Sequence, residues 1–164
     1  MRAVPADQLW WGRNTLAQKG QAPYSRGEVV VDPAGIRPGD VCGFGTFGKY
    51  SATIAIVGQP DGGRALSMRV TESTTTGPKT EVRVKAVPTH AARLWLRTEM
   101  DFTAETALLS YSEDGRRFTP LGGTVPLVYD WRTGTFQGVQ FALSCFHPGS
   151  GGGVLDVDRF TLSR

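Results

Sequence analysis

Residues 94–118 read LWLRTEMDFTAETALLSYSEDGRRF, and this stretch decides the expected fold. Apolar and polar residues alternate from Leu94 onward, which is the period of a β-strand with one buried face. The alternation predicts one strand over Arg93–Phe102 and a second over Ala107–Ser112. The turn that follows contains Gly115, a residue that readily adopts the positive φ that closes a hairpin. An antiparallel hairpin is therefore the expected building unit.

The rest of the chain has the same rhythm. Glycine (21) and proline (10) are frequent, and strongly helical stretches are hard to find, which is typical of short strands joined by turns. Eight further strands are predicted over Glu28–Val31, Asp40–Phe44, Tyr50–Val57, Ala65–Thr71, Thr80–Val87, Phe118–Pro120, Gly138–Phe146 and Val154–Leu162. We therefore expect an all-β fold, an antiparallel β-sandwich, in a single module of residues 1–164 whose segment 1–12 is poorly defined.

Alternation also predicts which side chains are buried. In the predicted strands Arg93–Phe102 and Gly138–Phe146, apolar residues recur on one face. The eight predicted core residues are Leu94, Leu96, Met100, Phe102, Val139, Phe141, Leu143 and Cys145.

The charge of the chain excludes some classes of partner. The net charge is +3, the sequence pI is near 9.1, and Lys and Arg are scattered without runs. This pattern predicts no nucleic-acid partner. No long apolar run and no apolar leader is visible, so the sequence predicts no membrane partner and no export signal, and it leaves localisation open.

Cysteine and histidine give no indication of a metal or redox site. Cys42 and Cys145 each lie in apolar surroundings, and we interpret them as buried thiols rather than as a bridge. The two histidines, His90 and His147, lack the spacing of metal ligands. We expect no cofactor.

Three carboxylates, Glu99, Asp101 and Glu105, follow one another at a spacing that suggests the catalytic row of a sandwich-fold glycosidase. Retaining glycosidases hold two carboxyl groups about 5–5.5 Å apart. Residues two apart on one strand face are separated by roughly 6.6–7 Å at Cα, so Glu99 and Asp101 could form such a pair, whereas Glu105 would lie about 20 Å from Glu99. The favoured interpretation is a solvated outer face with Glu105 on a loop, and catalysis by Glu99 and Asp101 is the alternative.

Six motifs together resemble the C-terminal β-sandwich of family 43 glycoside hydrolases, which are β-xylosidases and α-L-arabinofuranosidases. The motifs read RNTLAQK (13–19), GDVCGFGTFGKY (39–50), LWLRTEMDF (94–102), ALLSYSEDGRRFTPLG (107–122), FQGVQFALSCF (136–146) and GGVLDVDRF (152–160). They occur in the family's order. The resemblance implies a concanavalin A-like jelly roll, a domain also classed as carbohydrate-binding module family 91.

The resemblance also implies a function. The catalytic propeller of those enzymes is absent from this sequence, so the chain alone is expected to be a non-catalytic accessory module. The implied partners are xylan or a xylo-oligosaccharide, bound weakly, and a family 43 catalytic domain or a sister subunit. A purely structural domain that packs on a propeller or a sister subunit is the alternative, and a glycosidase that uses Glu99 and Asp101 is a second alternative.

Sugar binding by a β-sandwich depends on aromatic rings that lie against the apolar faces of pyranose rings. Trp95 stands on the polar face of its predicted strand, Phe47 and Tyr50 occur in a glycine-punctuated segment, and Trp131 lies in a turn-rich segment. These four residues are the predicted carbohydrate-binding residues. The alternative for Trp95 is that it covers a second layer or lies under a loop. The alternative for Phe47 and Tyr50 is packing inside the sandwich, and it is favoured more for Tyr50.

Four residues are predicted to have structural roles. Asp114 and Gly115 match the YSxDG hairpin of the resembling family and are expected to form a turn. Asp156 and Asp158, in the closing motif, are expected to accept hydrogen bonds from loop amides. A structural calcium at these two aspartates is the less favoured alternative. The segment that begins at Phe136 resembles the penultimate strand of the family. The chain departs from the family at Arg159, where the family usually has an aromatic residue.

Overall fold

The computed structural model describes residues 1–131, 138–150 and 152–164, so Phe136 lies outside the described residues. Within these ranges the strands are β1 Val4–Pro5, β2 Leu16–Lys19, β3 Tyr24–Asp32, β4 Val41–Phe47, β5 Tyr50–Gly58, β6 Arg64–Thr74, β7 Gly77–Thr89, β8 Leu94–Asp101, β9 Thr106–Ser112, β10 Thr119–Pro126, β11 Gln140–His147 and β12 Asp156–Ser163. A 3-10 helix covers Leu9–Trp11. All ten predicted strands are present with shifted ends, and β1 and β2 are additional. None of the helices in the described ranges has the length and apolar character needed to cross a membrane.

The strands form two sheets that pack face to face around one core. The seven-stranded sheet has the order β1-β11-β4-β5-β6-β7, and β2 also pairs with β11. The five-stranded sheet has the order β10-β9-β8-β3-β12. Neighbouring strands are antiparallel, apart from the short β1, which runs parallel to β11. The predicted all-β antiparallel sandwich is confirmed.

The core between the sheets follows the predicted alternation. Leu94, Leu96 and Met100 of β8 are fully buried. Of the eight predicted core residues, six are buried. Phe102 and Val139 are partly buried and pack against the core from its border.

The outer face of the seven-stranded sheet, the face turned away from the core, is partly covered by the N-terminal segment. Leu9 of the 3-10 helix packs with Val41 of β4, Ala55 of β5 and Phe146 of β11 in a second apolar cluster. As a result β11 is buried on both faces from residue 140 to residue 146. Alternation within one strand does not predict this cover, because the covering segment is distant in sequence.

The interpretation of Cys42 and Cys145 as free thiols is wrong. The two residues are directly opposite each other in the antiparallel pair β4–β11, and their sulfur atoms form a disulfide bond. Opposite residues in such a pair have their Cβ atoms about 4.5–5.5 Å apart. The separation of 103 positions between the two cysteines along the chain conceals this proximity in the sequence.

The sandwich is open along one edge, between β2 of one sheet and β12 of the other. A cleft of about 730 Å³ enters there, lined by apolar residues that include Phe44 and Phe141 of the core. At its rim Leu16 of β2 is 63% exposed and Phe160 of β12 is 43% exposed. We call this opening the edge cleft.

Candidate functional site

The five-stranded sheet carries the first carboxylate of the proposed catalytic row, Glu99. The Tyr24 hydroxyl donates a hydrogen bond to Glu99 Oε1 at 2.6 Å, and Arg26 Nε donates one at 3.0 Å. Burial alone would raise the pKa of Glu99, but the two hydrogen bonds and the charges of Arg26 and Arg97 lower it overall. Glu99 is therefore an ionised member of an ion pair, which does not suit a proton donor.

Asp101 and Glu105 are placed differently from Glu99. Asp101 Oδ1 accepts hydrogen bonds from two backbone N–H groups of the following turn, at 2.9 and 2.8 Å. Glu105 is exposed in that same turn and has a φ of 53°. The three carboxylates are therefore spread along a strand and its turn and do not converge on a groove.

Trp95, a predicted sugar-binding residue, lies on the outer face of the five-stranded sheet. Its ring is partly buried because the β9–β10 turn lies against it: a Cβ atom added to Gly115 would be 2.7 Å from Cε2 of Trp95. The ring also borders a shallow depression of about 430 Å³ together with Val30, Arg93 and Asp158. Arg93 and Asp158 form an ion pair at 3.0 Å across this depression. One flank of Trp95 is thus available to a ligand.

Phe47, the second predicted residue, ends β4 at the tip of the β4–β5 hairpin. Its ring packs against Trp10 of the 3-10 helix, with ring centroids 4.7 Å apart and planes inclined by 39°. The next residue, Trp11, is 59% exposed. The sequence reasoning missed Trp10 and Trp11, although the LWW triplet is a visible signal.

A second aromatic segment reaches the same hairpin. Lys49, in the hairpin turn, forms an ion pair with Asp130 at 3.2 Å. Asp130 is flanked by Tyr129 and Trp131, which are 55% and 61% exposed. Because Phe47 and Lys49 are two residues apart, the two aromatic segments are anchored on the same hairpin, at one end of the seven-stranded sheet. We call this group the hairpin cluster: Trp10, Trp11, Phe47, Tyr129 and Trp131.

Tyr50, the remaining predicted residue, does not belong to this exposed group. Its ring packs against the core. Its hydroxyl donates a hydrogen bond to Glu72 Oε1 at 2.9 Å, and this bond is the main cause of the raised pKa of Tyr50. The structure places Tyr50 with the core because even-numbered residues of β5 point inward, as buried Ala52 and Ile54 show.

Arg69 of β6, which the sequence reasoning also missed, lies on the outer face of the seven-stranded sheet. It is opposite Thr53 of β5, and its neighbours Met68 and Val70 are buried in the core. Arg69 Nε is buried and has no hydrogen-bond partner among the described residues. Burial lowers the pKa of this guanidinium. Alternation within Ala65–Thr71 indicates that Arg69 points outward, but only the three-dimensional structure reveals its lack of a partner.

The predicted turn residues Asp114 and Gly115 follow β9. Asp114 Oδ1 accepts hydrogen bonds from the backbone N–H groups of Arg117 at 2.9 Å and Arg116 at 2.8 Å, and from the Ser112 hydroxyl at 2.9 Å. These three bonds lower the pKa of Asp114 to about 2. Gly115 has a φ of 70°.

The two aspartates of β12 are exposed. Asp158 pairs with Arg93, as described above, and Asp156 begins the strand. In the part of the chain that the structure describes, no group of three or more His, Cys, Asp or Glu side chains is arranged to hold a metal ion. A calcium site at Asp156 and Asp158 stays a minor hypothesis without a third ligand in these ranges.

Comparison with protein families gives a match over nearly the whole chain. The family described as the β-xylosidase C-terminal concanavalin A-like domain matches residues 2–163. This match confirms the resemblance to the C-terminal sandwich of family 43 glycoside hydrolases. No curated protein matches the chain. Membership of carbohydrate-binding module family 91 stays a prediction.

Solved structures of longer proteins contain the same fold. A family 43 glycoside hydrolase engineered to display endo-xylanase and exo-arabinofuranosidase activity aligns with a TM-score of 0.82 and 25% identity over 99% of this chain. A bifunctional GH43-CE protein from Bacteroides eggerthii aligns with a TM-score of 0.79 and 22% identity over 98% of this chain. A xylan β-1,4-xylosidase from Bacillus halodurans aligns with a TM-score of 0.76 and 14% identity over 100% of this chain. The chain spans 34%, 20% and 32% of these relatives, about a third of their length or less.

Proposed function

The chain belongs to the β-xylosidase C-terminal concanavalin A-like domain family, and on that premise we propose that it is a non-catalytic accessory module that binds xylan-type polysaccharide. The bound chain would lie across the hairpin cluster. The relative with 25% identity displays endo-xylanase and exo-arabinofuranosidase activity, which supports a ligand of the xylan class.

One observation carries the binding proposal: two aromatic segments that are distant in sequence are anchored on the same hairpin. Trp10 packs on Phe47, and Asp130 pairs with Lys49 two residues further on. The neighbouring side chains of Trp11 and Trp131 stay more than half exposed. Exposed indole rings held at one edge of a rigid sheet suit stacking on the apolar faces of sugar rings.

The absence of catalysis is supported by the state of the candidate carboxylates. Glu99 is held by Tyr24 and Arg26, and Asp101 caps the turn after β8. A retaining or inverting glycosidase needs one protonated and one ionised carboxyl group on opposite sides of the bond to be cut. Glu99, whose pKa is lowered by the Tyr24 and Arg26 hydrogen bonds and by nearby positive charges, is not placed to take the protonated role.

Affinity electrophoresis in gels that contain arabinoxylan tests the binding proposal. The wild-type chain is expected to be retarded relative to a gel without polysaccharide, and Trp131→Ala and Trp11→Ala are each expected to weaken the retardation several-fold. Phe160→Ala, an exposed aromatic residue on β12, is the matched control and should migrate like the wild type.

The same gels also locate the site. If Trp95→Ala removes the retardation and the hairpin variants do not, the depression beside Arg93 and Asp158 is the binding surface and the hairpin cluster is not. If the wild-type chain is not retarded by any xylan, the binding proposal is wrong. Thermal melting of each variant separates loss of binding from loss of fold.

A second candidate function is favoured by the edge cleft: a structural domain that packs on a family 43 catalytic domain. About two thirds of each relative lies outside the matched part, so a larger partner surface is available in those proteins. Phe160→Lys, which places a charge in the cleft, would then weaken co-purification with a separately expressed family 43 catalytic domain. Unchanged co-purification would remove this candidate.

A further inference from the structure

We propose that Arg69 binds the carboxylate of a uronic acid substituent, so that the module selects acidic xylan over neutral xylan. This inference rests on the proposed xylan-binding function and adds the chemical class of the side group. It is carried by an arginine that lies in a small pocket without an acidic partner.

The first step is the unpaired state of Arg69. Its Nε is buried and has no partner among the described residues, and no described carboxylate lies within ion-pair distance of its guanidinium. A buried donor of a charged group that is left without an acceptor is unfavourable by more than a neutral one. An acceptor supplied by a ligand would remove this penalty. A carboxylate suits this role because it accepts two parallel hydrogen bonds from one guanidinium.

The second step is the size and lining of the pocket. Its volume is about 30 Å³, and a water-sized group needs roughly 10–15 Å³ of such space. The pocket thus accepts a group of two oxygen atoms, such as a carboxylate, and excludes a whole sugar ring. Besides Arg69, its polar lining includes four residues with hydroxyl groups, Thr53, Thr71, Thr80 and Ser144, together with Asp7 and Gln8. The apolar part is provided by Leu9, Val41, Ala55 and Phe146.

The third step is the position of the pocket relative to the hairpin cluster. Phe47 of β4 and Arg69 of β6 lie on the same outer face of the sheet, with β5 between their strands. Along the strand direction the two residues are offset by two positions. These offsets place their Cα atoms roughly 12 Å apart. A polysaccharide backbone stacked on the cluster can therefore direct a side group of a nearby sugar unit toward Arg69.

Two groups at the pocket oppose an acidic ligand: the carboxylate of Asp7 and the amide oxygen of Gln8, a buried acceptor without a hydrogen-bond partner among the described residues. Asp7 lies at the lining together with Gln8, from the segment that precedes the 3-10 helix. Asp7 is exposed and is not within ion-pair distance of Arg69. Removal of its charge is therefore expected to strengthen binding of the carboxylate, which gives the test a second variant with the opposite sign.

Isothermal titration calorimetry with two matched polymers tests the inference. One polymer is a glucuronic acid-bearing xylan, and the other is the same preparation with its carboxylates chemically reduced to alcohols. The wild type should bind the acidic polymer about tenfold more tightly. Arg69→Gln and Arg69→Lys should remove that preference and leave binding of the reduced polymer within twofold, because lysine lacks the bidentate fork. Asp7→Asn should increase the preference.

Arg116→Gln is the charge-matched control, since Arg116 is an exposed arginine in the β9–β10 turn, and it should keep the preference. Equal affinity of the wild type for both polymers, or an equal loss on both in Arg69→Gln with the fold intact, overturns the inference and leaves the proposed function standing. Failure of the wild type to bind either polymer overturns both.

Discussion

Arg26 of β3 lies directly opposite Glu99 of β8, and its guanidinium is 2.9 Å from a carboxylate oxygen of Glu99. The pair belongs to a charged outer face, where Arg97 and Glu28 form a second cross-strand ion pair at 2.8 Å. Glu99, the first acidic residue of the row that resembles a catalytic site in the sequence, is thus held by a basic residue of the neighbouring strand. This pairing assigns Glu99 a role in the sheet, and the assignment can be tested.

Glu99→Gln is expected to lower the free energy of unfolding by about 1–2 kcal/mol, because two hydrogen bonds to a charged acceptor are weakened. The pKa of Glu99 is lowered in the folded state, so its contribution is complete above the ordinary value of 4.5 and is lost as the pH falls through the lowered value. The stability difference between wild type and variant should therefore shrink on acidification. Urea denaturation at several pH values measures it.

Glu105→Gln is the control for this experiment, because Glu105 is exposed in the turn after β8. It should leave stability unchanged to within about 0.5 kcal/mol. Hydrolysis of an aryl xyloside or of xylan by the wild type that disappears in Glu99→Gln would contradict the structural assignment.

Asp114 should remain ionised to an unusually low pH. Its pKa is lowered to about 2 by the backbone N–H groups of Arg117 and Arg116 and by the Ser112 hydroxyl. The amide resonances of Arg116 and Arg117 should accordingly titrate with a midpoint near 2 in nuclear magnetic resonance spectra, and Asp114→Asn should abolish the titration. A midpoint near the ordinary value of 3.8 would show that the hydrogen bonds do not persist in solution.

The disulfide between Cys42 and Cys145 can be tested by counting free thiols and by measuring the stability of the folded state. A thiol reagent should find no free thiol in the denatured, unreduced chain and two after reduction. A bridge that closes a loop of about 100 residues stabilises the folded state by about 4.7 kcal/mol in the chain-entropy description. The variant with both Cys42→Ala and Cys145→Ala should melt at a correspondingly lower temperature. Two reactive thiols before reduction would refute the bridge.

Two adjacent glycines in β10 provide a matched pair for the effect of packing. Gly122 and Gly123 both have positive φ, 79° and 74°. A Cβ atom at Gly122 would overlap the Met68 side chain, whereas a Cβ atom at Gly123 meets nothing within 4 Å. Gly123→Ala should lower the free energy of unfolding by about 1–2 kcal/mol, because alanine is strained at a positive φ. Gly122→Ala should lower it by about 1–3 kcal/mol more, because its Cβ atom also displaces the Met68 side chain. Equal melting temperatures of the two variants would contradict the overlap.

The strands and most of the core could be predicted because their signal is local. Leu94, Leu96 and Met100 recur at the strand period, and Gly115 marks the turn that closes the next hairpin. What failed depends on pairing between distant segments. The partner of Cys145 is set by the β4–β11 register, and the cover over Phe146 comes from Leu9 at the other end of the chain.

The candidate site was predicted in part for the same reason. Phe47 and Trp131 could be named from their turn-rich surroundings, but their common location depends on the Lys49–Asp130 ion pair. The strand that begins at Tyr50 could be predicted, but the exposed ring expected for Tyr50 packs against the core instead. The unpaired state of Arg69 is a property of the assembled sheet and has no sequence signature.

The open edge of the sandwich has a practical consequence for handling the protein. Among the described strands, β12 is an edge strand, and the backbone groups on its outer edge have no partner strand there. Such an edge, next to the apolar lining of the edge cleft, is a template for intermolecular strand addition. Asp156, Asp158 and Arg159 are the charged residues of this strand, and charges on an edge strand oppose its pairing with another copy. Concentrated samples should therefore gain turbidity when salt screens those charges, and light scattering at increasing ionic strength would reveal it before any loss of fold.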